Sequence, residues 1–208
     1  MTDSDGEDVP QLSAETLKAL QEFYDEQLDK EAQENSESTN AIVSEDWQLS
    51  QFWYDDSTVI SLTNAACKIL SPGDKIALVS CPTLYRSLKQ NHKGTVTLFE
   101  FDKRFSVIGE DYNFYDYKEP LSITKEFKNY YDLVIADPPF LSDECLTKTA
   151  VTLKYLAKEN IILCTGAIMA DLVERLLHLK KCSFEPRHKN NLANEFFCYS
   201  NFDLDNFI

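Results

Sequence analysis

Apolar and polar positions follow two periods along this chain. From Ser13, a candidate N-cap, the residues Leu17, Leu20, Tyr24 and Leu28 recur at helical spacing, which predicts an amphipathic helix over 14–31. The polar stretch 33–40, Gln-Glu-Asn-Ser-Glu-Ser-Thr-Asn, reads as a linker. Beyond it, helical and strand patterns alternate. A helix over Ser57–Leu70 is stopped by Ser71-Pro72-Gly73, and helices are also predicted over Thr83–Asn91, Glu144–Leu156 and Met169–Leu179. Between and after them lie strands over Lys75–Ser80, Thr95–Phe101, Asn113–Tyr117, Asp132–Ala136, Asn160–Cys164, Cys182–Pro186 and Glu195–Asn201. Strands such as Asp132–Ala136 carry a continuous apolar run, here Leu133 to Ala136, as expected where both faces of a sheet are covered. The pattern predicts an α/β fold, doubly wound on a mostly parallel sheet, with its ligand at the carboxyl ends of the strands. It also divides the chain into a leader, 1–43, and a folded domain, 44–208.

Composition narrows the chemistry. The 208 residues include five glycines, Gly6, Gly73, Gly94, Gly109 and Gly166, none within ten positions of another. A GxxxxGK[ST] phosphate loop and a GxGxxG dinucleotide turn are therefore both excluded. The six cysteines form no CxxC pair and the three histidines are scattered, so no zinc motif is present and the thiols read as reduced and structural. No apolar run approaches the ~18–20 residues that span a bilayer, and the acidic start is unlike a secretory or mitochondrial leader. The cytosol is the expected compartment, with no membrane partner and a monomeric state.

The net charge of −15 is unevenly spread. Residues 1–46 hold 14 acids and two bases, for −12, which leaves −3 on the rest. Nucleic-acid binding draws on a basic surface that neutralises phosphates, and none is apparent here. An acidic leader would instead be drawn to a basic protein.

The strand ends carry the candidate chemistry. Asp102, Asp116 and Asp137 each stand at or just after one. A carboxylate ending the second strand suits a ribose, whose two hydroxyls it can accept. Any such Asp, and Asp116 in particular, reads equally as a turn former. The run Ile135-Ala136-Asp137-Pro138-Pro139-Phe140 is more specific. Here the chain resembles class I S-adenosylmethionine-dependent methyltransferases with a [D/N]PP[Y/F/W] motif. The Asp137 carboxylate and the Pro138 carbonyl can accept from an amine and aim its lone pair, while the prolines stiffen the loop. Phe140 offers a face for a base or an ammonium.

Further segments narrow the resemblance: Asp46-Trp47-Gln48-Leu49-Ser50-Gln51-Phe52-Trp53-Tyr54, Phe99–Phe105, Ala136–Cys145, Leu163–Ala167 and the residues from Pro186 to Phe196. Together they are similar to the eukaryotic elongation factor 1-alpha lysine methyltransferase 1 family, formerly grouped with N6-adenine methyltransferases. The resemblance implies a seven-stranded Rossmann-like methyltransferase sheet, S-adenosyl-L-methionine as cofactor, and a lysine of elongation factor 1-alpha, a basic cytosolic protein, as acceptor. It implies catalytic roles for Asp137, Pro138 and Phe140. Cofactor contacts fall to Ser80, Cys81, Asp102, Asp116 and Trp53, with Asp102 on the ribose and Asp116 on the adenine side. Trp47, Phe52, Trp53 and Tyr54 suit either the site or a core that braces it. One departure stands out: the E/DxGxG turn after the first strand is replaced by Ser80-Cys81-Pro82-Thr83. A lysine amine of pKa near 10.4 is about 99.9% protonated at pH 7, so its proton must leave, to water in this reading, before transfer. Adenine N6 methylation, or a non-catalytic scaffold of the same fold, are the alternatives that the residues leave open.

Overall fold

Residues 43–190, 192 and 194–208 are described in the computed structural model. The predicted leader helix over 14–31 and the linker over 33–40 lie outside them. Helix α1 spans Asp56–Ile69, α2 Tyr85–Asn91, α3 Asp143–Leu156 and α4 Ala170–Leu177. The strands are β1 (Lys75–Val79), β2 (Thr95–Glu100), β3 (Tyr112–Phe114), β4 (Tyr131–Ala136), β5 (Ala157–Gly166), β6 (Lys180–Lys181) and β7 (Phe196–Ser200). Local chemistry sets the boundaries. The Asp55 side chain accepts from Thr58 N at the start of α1, and Ser142 accepts from Cys145 N at the start of α3.

The seven strands form one sheet in the order β3-β2-β1-β4-β5-β7-β6. The first five run parallel, and β7 is inserted antiparallel between β5 and β6. Period-2 alternation sends side chains to two cores. Ile76, Leu78, Val96, Leu98, Leu133 and Ile135 pack with Leu62 and Ala66 of α1 and Leu88 of α2. Ala77, Val79, Val134, Ala136 and Leu163 pack on the other face with Leu146, Leu153, Leu172 and Val173 of α3 and α4. Burying each Leu or Ile is worth about 1.5–3 kcal/mol, and one-residue register slips would send all of them to the wrong face.

One predicted strand is displaced. The ladder takes Lys180–Lys181, and Cys182–Pro186 leaves it after one further bond, from Cys182 N to Cys198 O at 2.8 Å. Beyond that point the Asp205 carboxylate accepts from Ser183 N and Phe184 N, which turns the chain off the sheet. All six cysteines are free thiols.

From β1 the chain crosses outward to β2 and β3, then returns to place β4 on the other side of β1. This reversal opens a crevice over the carboxyl ends of β1 and β4, where doubly wound sheets hold their ligands. The Asp137 amide donates to Val79 O at 3.1 Å and binds the two strand ends together.

Candidate active site

A cleft of about 550 Å³ opens over that reversal. Its size falls within the ~300–1,000 Å³ of small-molecule sites. The floor is the turn after β1. Ser80 takes a left-handed backbone conformation, φ 53°, and its amide donates to Phe99 O at 2.9 Å. The chain bends here as a glycine would allow, at a cost of about 1–2 kcal/mol for a residue that carries a Cβ. Cys81 is buried, with its Sγ donating to Ile135 O at 3.2 Å, and burial pushes its thiol well above the usual range. Pro82 then opens the short 3₁₀ turn Pro82–Leu84 that leads into α2.

The second wall is the end of β2. Glu100, the last strand residue, lines the cleft and is 6% exposed. Burial first, and then the neighbouring Asp102, push its carboxyl up to about 7 despite the backbone amides that it accepts. Asp102 does not line the cleft. It is 4% exposed and accepts from Arg104 Nη2 at 2.7 Å, Arg104 Nε at 2.9 Å and Gln51 Nε2 at 3.0 Å. Burial alone would raise its carboxyl, but the Arg104 hydrogen bonds outweigh that and hold it below its ordinary range.

These contacts tie down a strap formed by residues 46–54. Asp46 caps the 3₁₀ turn Trp47–Leu49, Ser50 is left-handed at φ 54°, and Gln51 accepts from Arg104 Nη2 at 3.2 Å. Glu45 joins the strap to a second segment, accepting from Trp53 N at 2.6 Å and Asn190 Nδ2 at 2.7 Å. Trp53 packs edge-on against Phe105 and reaches the cleft. Tyr54 forms an antiparallel bridge with His188, and their rings lie 5.1 Å apart.

The third wall leaves β4. Asp137 is half-buried on the cleft surface, Pro138 is buried behind it, and Phe140, 42% exposed, meets Tyr117 at 5.7 Å. Burial pushes the Asp137 carboxyl up to about 7, and the Tyr54 hydroxyl beside it pulls it partly back. Leu141 comes down on Gly166 at the end of β5, where a Cβ would stand 2.8 Å from its methyls. Asp116 lines the cleft just past β3 and accepts from Lys118 N at 2.9 Å, as a turn former does.

Ser80, Cys81, Trp53, Asp116, Asp137, Pro138 and Phe140 therefore come together around one cavity, while Asp102 stands behind its wall. Glu100 and Gln51 escaped the sequence reading. Glu100 shares the strand face of Asp102 two positions on, and placing the end of β2 at Phe101 hid it. Gln51 carries no signal of its own, because its partner lies 51 residues away.

The strand order, with a carboxylate ending β2 and Asp-Pro-Pro-Phe leaving β4 at the reversal, is that of the Rossmann-like methyltransferase fold. A TehB-like member from Corynebacterium glutamicum superposes with a TM-score of 0.54 at 12% identity, covering 85% of this chain and 96% of that one. Residues 45–204 match the family model described as probable N6-adenine methyltransferase. EEF1A lysine methyltransferase 1 of Gallus gallus is 48% identical over 207 residues, covering 96% of this chain and 97% of its own length. The Homo sapiens protein of the same name is 47% identical over 207 residues, covering 98% and 97%. The chain belongs to this family.

Proposed function

We propose that this chain is an S-adenosylmethionine-dependent protein-lysine N-methyltransferase acting on translation elongation factor 1-alpha. The observation that carries the reading is the Asp137 carboxylate at the end of β4, facing the cleft beside the β1 turn. The names of the relatives supply the acceptor. The cleft residues fit the cofactor: Glu100 presents a buried carboxylate of the kind that accepts from ribose hydroxyls, Ser80 and Cys81 bring backbone close, and Trp53 and Asp116 flank the space. S-adenosylmethionine, when bound, supplies a methyl group on a sulfonium that a neutral amine can attack.

The protein supplies position. Asp137 and the Pro138 carbonyl accept the N–H groups of the amine and turn its lone pair inward. Phe140 and Tyr117 present aromatic faces at the mouth, suited to the aliphatic stem and charge of an entering lysine. Because burial holds Asp137 near neutrality, its charged form depends on pH in the range where the enzyme works. Orientation by Asp137 with proton loss to water remains the simplest sequence of steps. Residues 44–208 form the catalytic domain in this reading, and 1–43 contribute acidity. The enzyme acts as a monomer in the cytosol, away from membranes and nucleic acid. No helix among the described residues is long and apolar enough to cross a membrane.

Radiolabelled methyl transfer into a cell extract, wild type beside Asp137→Ala, tests this. A labelled protein band at the size of elongation factor 1-alpha, reduced at least about a hundredfold in the variant, is the expected result. Calorimetry should find cofactor affinity within a few-fold of wild type. Nuclease-sensitive label would move the acceptor to adenine. A matching loss of binding and turnover would mean that Asp137 holds the cofactor or the fold and does not orient the amine.

A further inference from the structure

His188 lines the same cleft as Asp137, and its ring stands between two aromatic neighbours, Phe196 at 4.8 Å and Tyr54 at 5.1 Å. The backbone around it is fixed. Tyr54 bridges to His188, Asp55 N donates to Arg187 O at 2.9 Å, and Lys189 N donates to Trp53 O at 2.8 Å. Arg187 N donates to Thr58 Oγ1 at 2.8 Å, which anchors the segment to α1. Among the described residues, neither ring nitrogen of His188 has a hydrogen-bond partner. A ring kept only to fill space between two aromatics needs no nitrogens, and phenylalanine would pack there as well.

The sheet puts this ring on the Asp137 side of the cleft. Phe196 opens β7 opposite Gly166, the last residue of β5, and Leu141 of the Asp137 loop packs on that same glycine. Glu100 ends β2, which lies on the other side of β1. A ligand stretched along the strand ends from Glu100 to Asp137 therefore leaves His188 at its Asp137 end.

The geometry points to His188 as the base that takes the proton from the entering lysine. This rests on the lysine methyltransferase reading. An ammonium has no lone pair to offer, and Asp137 is already engaged in holding the nitrogen. One Nζ–H bond breaks, its electron pair stays on nitrogen as the lone pair, and the proton joins a ring nitrogen of His188. The imidazolium then releases that proton to solvent, so it reaches water by way of His188. The neutral amine keeps two N–H groups, which Asp137 and the Pro138 carbonyl accept.

The surroundings keep the imidazole ready for this. Burial lowers its pKa and outweighs the opposite pull of the Glu45 and Asp55 carboxylates at the two ends of the strap, so the ring is neutral near pH 7. The Tyr54 hydroxyl is kept protonated by its own burial. Phe196 brings no charge from β7, and Arg187 and Lys189 on either side of His188 are exposed. From β4, the Asp137 carboxylate faces the shared cleft.

The test compares wild type with His188→Ala and with His188→Phe, which keeps a ring against Tyr54 and Phe196. Both variants should bind S-adenosylmethionine within about threefold of wild type by calorimetry, and both should lose about a hundredfold in kcat/KM on elongation factor 1-alpha at pH 8. Without a base, the free amine alone reacts, and its share grows about tenfold per pH unit below 10.4. The variants should therefore climb about thirtyfold between pH 8 and pH 9.5, while wild type stays within about threefold. Imidazole at about 0.1 M should raise His188→Ala at least about fivefold at pH 8, and should leave wild type and His188→Phe unchanged. Proton NMR of the protein alone should show the His188 ring titrating below its ordinary 6.5. A loss equal at both pH values, no loss, no rescue of His188→Ala, or a ring still charged at pH 8 would each overturn the proposal. A wild type that methylates no elongation factor would overturn the substrate reading and the base with it, whereas the other outcomes strike His188 alone.

Discussion

Ser80 takes with a serine a left-handed turn that glycine would take without strain. The left-handed turn after β1 lets the chain reverse beneath the cleft while its amide stays bonded to Phe99 O. A β-branched residue is the worst occupant of such a backbone, so Ser80→Val should cost about 1–2 kcal/mol, visible as a Tm lower by about 2–8 °C. It should also weaken cofactor binding about tenfold by calorimetry, whereas Ser80→Gly should leave binding within about threefold. Equal binding by the two variants would mean that the turn only carries the chain. Asp137 and Glu100 make a second prediction at this scale. Their carboxyls titrate near 7 in the fold, above their ordinary 3.8 and 4.5. The folded state thus holds these protons more tightly than the unfolded one, and that contribution is complete below about pH 4 and lost as pH rises through 7. Asp137→Asn removes its share of the loss. The variant should be more stable than wild type at pH 8, by on the order of 2 kcal/mol after allowance for water in the cleft, and the gap should close by pH 4. Thermal melts across pH check this, and a gap independent of pH would mean that the carboxylate is already solvated.

The strap 46–54 shows best what sequence periodicity can and cannot carry. The elements around it were legible: among the described residues, six of the seven strands, the four helices and the Asp137–Phe140 exit follow from runs of apolar residues, caps and prolines that act locally, whereas β6 falls just before the strand expected at Cys182–Pro186. The strap has no period of its own. Its shape comes from Gln51 bonding to Asp102 and from Glu45 bonding to Asn190, pairings 51 and 145 residues apart. Asp102, expected from the sequence to meet the ribose, does not line the cleft. Asp102 looked free at the end of β2, but an arginine two positions on and a glutamine from the strap consume it, which leaves Glu100 to face the cleft. Asp102 therefore reads as the anchor of the strap, and Arg104 as the clamp on the anchor. Arg104→Ala should raise the cofactor dissociation constant about five- to tenfold and speed limited proteolysis within 46–54, with kcat at saturation within about twofold. A fall in kcat with unchanged affinity would place the strap on the acceptor side instead.

Across the whole chain the charge is unevenly divided. Residues 1–46 carry −12 of the −15, and the remaining chain is close to neutral. A fold needs no such imbalance, and among the described residues the acids that line the cleft are Glu100, Asp116 and Asp137. A basic substrate protein makes sense of it, because a concentrated negative field raises the encounter rate without adding a specific contact. Such steering acts over the screening length, about 10 Å at 0.1 M salt and 3 Å at 1 M. Replacing Asp3, Asp5, Glu7, Asp8, Glu15 and Glu22 by their amides should therefore raise KM for elongation factor 1-alpha several-fold at about 0.05 M salt. The difference should fade above about 0.5 M, and kcat should stay constant, as a pure effect on encounter requires. Methylation of a short lysine peptide, which carries little charge, should be unaffected at any salt. If KM for the protein rose equally at all salt concentrations, the leader would be making a direct contact with the substrate. If KM did not move, the acidity would serve some purpose other than catalysis.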